Sequence, residues 1–204
     1  MQLMSVFSLG YTLSDFKDFG DWKTKIKSST PLKLTKVTIS SSPTSCGYFT
    51  YLIHAKNAVW MLEYALIDNG IQDFIRWLES IYLGCSESFL LMNQEGPEEL
   101  LRAYQEFRCD ELRLTMISNV QHIYDSVEHK YIENTKFTKL IRETGEKQVV
   151  FDIVVNKWDF IEAMYVLTHI TATKVNEPIF KSEVIETFIK ELPKDHKNIF
   201  FQKG

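Results

Sequence analysis

The stretch VVFDIVVNKWDFIEAMYVLTH, Val149 to His169, changes its period in the middle. Val149 to Val155 is a β-branched and aromatic run that reads as a strong strand. Asn156 is a good N-cap. From Trp158 the residues Phe160, Ile161, Met164, Tyr165, Leu167 and His169 read as a helix that Glu177-Pro178 breaks. A strand runs straight into a helix here, and the segments upstream decide how such pieces combine.

Ile71, Phe74, Ile75, Leu78, Ile81 and Tyr82 form one apolar stripe, with Asp73, Arg76 and Glu79 turned away and Gly84 as the stop. That is a helix. Ala58 to Ile67 reads as another, separated from it by Asp68-Asn69-Gly70. Ser182 caps a last helix through Ile185, Phe188, Ile189 and Leu192, with Glu183 and Glu186 early and Pro193 as the stop. Near the N-terminus Ser5 to Leu9 suits a short strand. Ser14 then caps a helix carrying Phe16, Phe19, Trp22 and Ile26, with lysines late, ended by Ser28-Ser29-Thr30-Pro31.

Leu32 to Ile39 alternates apolar and polar with a skipped beat at Lys36-Val37, so a bulged strand is expected. Ser40 to Ser45 reads as a loop, leading to a strand over Tyr48 to Ile53 and a hairpin between the two runs. Phe89 to Met92 is a buried-type strand. The segment from Pro97 through Tyr104 fits either a helix or the return strand of a hairpin. Leu112, Leu114 and Met116 mark a further strand, and Val120 to Ile132 favours strand. Strands fall in adjacent runs and do not strictly alternate with helices. The expected fold is α+β: one domain over residues 1–204, an antiparallel or mixed sheet packed with about four to five helices, and a basic tail over 194–204 that is expected to be flexible.

Composition narrows function by exclusion. The chain has 204 residues, 45% of them hydrophobic, and a net charge of −4. That size buries a core without a metal or disulfide staple. Cys46, Cys85 and Cys109 are odd in number and far apart, with no CxxC, and read as reduced thiols of a cytoplasmic protein. No run approaches the ~20 apolar residues that span a bilayer. Neither GxGxxG, GxxxxGK[ST] nor GxSxG occurs, so no nucleotide cradle or hydrolase elbow is signalled and no cofactor is expected.

Isolated residues carry weaker chemistry. Cys46 sits beside a loop, where a small residue at a strand entrance is the simpler reading. His122, Asp125 and His129 would share a face on a helix, but the segment favours a strand, which separates His122 from Asp125. No metal site is expected. An enzyme with a hydrolase-like site around His122 and Asp125 is the catalytic alternative, and a structural or phage-derived component is a third reading.

Charge is uneven. From Glu87 to Glu111 there are seven acids, Glu87, Glu95, Glu98, Glu99, Glu106, Asp110 and Glu111, against Arg102 and Arg108, a local balance of −5. Lys17 to Lys36 is lysine-rich but lacks arginine, which argues against nucleic acid. The acids suit a charged protein partner.

Asp73-Phe74-Ile75-Arg76-Trp77-Leu78-Glu79-Ser80-Ile81, the run Ser88 to Gly96, and Asn156 to Tyr165 together resemble small bacterial proteins of unassigned function, some of which accompany toxins as immunity proteins. The resemblance implies a non-catalytic α+β protein that binds and blocks one partner. The acidic segment would then contact a basic toxin. It carries over no functional residue and says nothing of residues 1–57.

Overall fold

Strand Glu87–Asn93 (β6), Glu98–Tyr104 (β7) and Glu111–Ser118 (β8) follow one another as an antiparallel meander, and Gln148–Asn156 (β11) pairs antiparallel with β8. Two-residue strands close the edges in parallel: Val6–Phe7 (β1) against β6 and Leu32–Lys33 (β2) against β11. The six-stranded order is β1-β6-β7-β8-β11-β2. A second sheet stacks Thr38–Pro43 (β3), Tyr48–Ala55 (β4) and Ala58–Ala65 (β5). A hairpin, His122–Asp125 (β9) with Lys130–Glu133 (β10), forms a separate two-stranded sheet whose β9 contacts β5. The computed structural model describes residues 6–7, 19, 21–34, 38–43, 48–55, 58–65, 70–93, 98–106, 108–125, 127–128, 130–176, 178 and 180–192. The helices are Trp22–Ser28 (α1), Gly70–Tyr82 (α2), Thr135–Thr144 (α3), Lys157–Val175 (α4) and Glu183–Glu191 (α5). The protein is a single α+β domain.

The central strands bury both faces. Leu90, Met92, Leu101, Leu112, Leu114, Met116, Phe151 and Ile153 point to the main core, where α2, α4 and the three-stranded sheet meet them. α2 inserts the stripe expected of it, and Trp77 as well. Its Phe74 ring stacks on Tyr51 at 5.4 Å. The Tyr51 hydroxyl shares a 2.7 Å hydrogen bond with Thr168. α4 buries residues around most of its circumference, as a helix enclosed on several sides must.

The opposite face carries Phe89, Leu100 and Ile117, covered by Phe19 and Ile26, with Trp22 edge-on to Phe89 at 5.2 Å. Polar groups fix α1 there. Arg113 donates from Nε to Asp152 Oδ1 at 2.9 Å and from Nη2 to Oδ2 at 2.6 Å. The same Nη2 reaches the Ile26 carbonyl at the end of α1, 3.1 Å away. The Ser29 hydroxyl donates to Asp152, and Thr115 Oγ1 adds a 3.1 Å bond. Burial alone would raise the Asp152 carboxyl. The Arg113, Ser29 and Thr115 contacts outweigh it and hold the group below its ordinary value.

Four expectations need correction. The first helix begins at Trp22 with Asp21 as its N-cap, not at Ser14, which lies outside the described residues. Ala58 to Ala65 is a strand; its Leu, Met, Glu and Ala favour helix, yet eight residues pair with β4. Ser40 to Pro43 is not loop but part of β3, paired with β4 through Pro43↔Phe49. Leu32 to Ile39 is not one bulged strand, since β2 and β3 lie in different sheets. The expected hairpin exists between β3 and β4, and Pro97–Tyr104 resolves as a strand from Glu98. The tail 194–204 lies outside the described residues.

Asp152→Asn is expected to lower stability by about 2–3 kcal/mol at pH 7, because it removes the charge that Arg113 faces. A carboxyl depressed by folding stabilises above its unfolded value of about 3.9 and loses that contribution as pH falls through the lower folded value. Urea unfolding from pH 7 to pH 2 should therefore show the two proteins converging in acid. A pH-independent gap, or none, contradicts this role.

Candidate functional site

β7 runs against β6 and β8, and this separates the acidic segment into two groups. Glu87 begins β6, Glu106 follows the end of β7, Glu111 begins β8 and Asp110 precedes it, so these four gather at one end of the sheet. Glu98 and Glu99 begin β7 at the other end, roughly 20 Å away along the strand. Glu95 lies outside the described residues, as does the side chain of Glu98. Glu99 is only 3% exposed and accepts a 2.8 Å hydrogen bond from Ser118 Oγ. It belongs to the interior.

Three of the four gathered acids have partners on other elements. Glu87 pairs with Arg102, whose guanidinium lies 5.0 Å over the Tyr104 ring. Glu111 pairs with Lys33 of β2 in an exposed contact. Asp110 Oδ1 accepts the Trp158 indole N–H at 2.7 Å. Lys157, the first residue of α4, is buried and donates to Gln105 Oε1 at 3.1 Å, and Gln105 in turn bonds the carbonyls of Ile81 and Cys85. Burial pushes the Lys157 ammonium below its ordinary value, and Asp110 and Cys109 partly oppose that. The −5 balance read along the sequence is thus offset by Lys33 and Lys157. Glu106, Asp110 and Glu111 remain exposed. Beside them Tyr104, Cys109 and Arg113 help line a cavity of about 270 Å³.

The catalytic alternatives separate further. His122 and Asp125 lie in β9 at odd spacing, and the side chain of Asp125 lies outside the described residues. His122 pairs in register with Glu133 and Asp125 with Lys130. His129 and Cys46 lie outside the described residues. Among the described residues no three His, Cys, Asp or Glu side chains gather as metal ligands, and Cys85 and Cys109 are free thiols. A Ser–His contact does form elsewhere: Ser40 Oγ and His54 Nε2 are 3.0 Å apart across β3 and β4. Burial lowers the His54 imidazole, and among the described residues no carboxylate hydrogen-bonds to it. Sequence gave no hint of this pair, which exists only through the β3–β4 register.

Another surface was also hidden in the sequence. The chain leaves the sheet after β8, builds β9, β10 and α3, and returns as β11 beside β8. Asn134 anchors this insert. Its Oδ1 caps the Lys136 and Phe137 amides of α3, while its Nδ2 donates to Gln121 Oε1 at 2.7 Å. Gly145, left-handed at φ 68°, closes the helix. Yet α3 buries none of its ten residues. Leu140 is 44% exposed, the cross-strand partners Ile123 and Ile132 are 45% and 36% exposed, and Val127 at the hairpin turn is 82% exposed.

Comparison with protein-family models, with curated proteins and with solved structures finds no match. The arrangement of residues is therefore the basis for a functional reading. It offers charged and apolar surface, one Ser–His contact without an acid partner among the described residues, and among those residues no helix long and apolar enough to cross a membrane.

Glu99→Ala should destabilise the protein by about 2 kcal/mol, because it leaves the buried Ser118 hydroxyl without its acceptor and opens a cavity. Glu106→Ala should stay within about 0.5 kcal/mol of wild type. Denaturant midpoints of the two variants measure the difference. Equal costs would contradict the division of the acids into interior and exterior groups.

Proposed function

We propose that this chain is a protein-binding module that engages its partner through the insert between β8 and β11. The observation that supports this is α3: a ten-residue amphipathic helix with no buried residue, next to a hairpin that leaves an isoleucine pair exposed. A helix of that length gains little stability alone in water and depends on packing its apolar face. Apolar side chains left uncovered together in this way mark interaction surfaces. A partner that covers Ile123, Ile132 and Leu140 would supply the missing packing. Charges in the insert are balanced, with Lys130 near Glu128 and Lys139 near Glu143, so the contact is led by apolar burial and not by sign.

The resemblance to immunity-type proteins adds a partner class, a toxin that the chain binds and blocks. For a basic toxin, the exposed Glu106, Asp110 and Glu111 form the rival contact, at the opposite end of the sheet.

Affinity capture from the source cell, with three forms of the protein, tests the proposal. Wild type is expected to enrich a specific protein. The pair Ile123→Asp and Leu140→Asp should lose it by at least about tenfold, as removal of central apolar anchors does. The pair Glu106→Lys and Glu111→Lys should retain it. Loss on the acid variant alone moves the contact to the sheet end, and equal enrichment by all three overturns the insert as the binding surface.

A further inference from the structure

α4 and α5 lie side by side without closing on each other. Between them is a cleft of about 340 Å³, lined by Tyr165, His169 and Ile170 from α4 and by Glu186, Ile189 and Lys190 from α5. It is at the small end of the range for ligand pockets, which runs from about 300 to 1,000 Å³.

His169 gives the cleft its chemistry. Its Nδ1 lies 2.8 Å from the Tyr165 carbonyl oxygen. A carbonyl only accepts, so Nδ1 carries a proton and donates it. In the neutral imidazole the lone pair is then on Nε2. That atom is buried and has no hydrogen-bond partner. A buried acceptor left unpaired is uncommon and calls for an explanation. The Tyr165 ring packs against His169 at 4.1 Å between centroids, so the acceptor sits beside an aromatic wall.

Charge at the cleft is spent locally. Glu186 faces Lys190 at 3.8 Å and also stands beside the Tyr165 hydroxyl, which takes the Ser182 amide N–H at 3.0 Å. No net charge is left to select an ion, while Ile170, Ile189 and the two rings favour an apolar body. Ile170 is exposed and Ile189 half-buried, and both line the cleft with His169.

We propose that the α4–α5 cleft binds a small uncharged aromatic molecule bearing one hydroxyl, a phenol, whose O–H donates to His169 Nε2. This is independent of the insert and of any protein partner bound there.

Phenol, toluene and benzoate are the probes: nearly the same size, with a neutral donor, no donor and an anion. Titration of the full chain, followed by amide shifts in α4 and α5 and by the His169 ring nitrogens, reads the outcome. Phenol is expected to saturate about tenfold more tightly than toluene, the factor that one recovered hydrogen bond supplies, and to move the Nε2 resonance. Benzoate is expected to bind more weakly than phenol. His169→Phe should keep toluene and lose the preference for phenol, and Ile189→Trp should exclude both. Because the three probes are compared on wild type, a variant that fails to fold does not rescue the proposal. Equal binding of phenol and toluene, tighter binding of benzoate, or no saturable binding of phenol overturns it.

Discussion

The fold depends on keeping both faces of β6, β7, β8 and β11 dry, and among the described residues one of those faces is covered by the seven-residue α1 and by Phe19 just before it. Phe19, Trp22 and Ile26 are too few to hold α1 in place by area alone. The Asp152 carboxylate supplies the remaining constraint. It gathers Arg113, Ser29 and Thr115, and through Arg113 it reaches the carbonyl of Ile26. A buried pair of this kind is a specificity device more than a source of net stability, since each charge loses hydration on entering. Here it specifies where the N-terminal helix lies across the sheet. The two edges are then blunted by strands of only two residues, which offer little template for pairing with other chains.

With both faces closed, the surface available for function lies on what departs from the sheet. The insert between β8 and β11 leaves and returns between adjacent strands, so it leaves their pairing in place; the shift between Val149 and Phe151 in β11 is a local bulge. It is attached through Asn134 and Gln121, which also reaches the Val150 carbonyl. Beyond that attachment β9 contacts β5, while α3 buries none of its residues. The α4–α5 cleft is a different kind of feature: concave, small and furnished with one unsatisfied acceptor.

Much of the fold was legible in the sequence. The α2 stripe, the Val149–Val155 strand and the caps Asn156 and Ser182 are local signals, and local signals survive folding. What failed was decided by pairing. Ala58 to Ala65 is almost wholly apolar with helical composition, and only β4 beside it makes it a strand. Thr135 to Thr144 has its cap at Asn134 and its stop at Gly145, but its apolar residues are few, Phe137, Leu140 and Ile141, and the stripe they form is short. The candidate site was less legible than the fold. Seven acids contiguous in sequence suggested one surface, but antiparallel strands send neighbours in sequence to opposite ends and bring Lys33 and Lys157 to the acids from afar. The Ser40–His54 contact and the unpartnered nitrogen of His169 are products of register and packing that no spacing rule reveals.

The claim on which this account rests is that α3 is held by its caps and not by a core, while the sheet is held by both its faces. Native-state hydrogen exchange measures this directly. Amides of β8 and β11 should exchange only with global unfolding, and those of α3 should open at a free energy several kcal/mol lower in the isolated protein. Protection of α3 equal to that of β8 would contradict the account, because it would mean that the helix already has the packing its binding role is meant to supply.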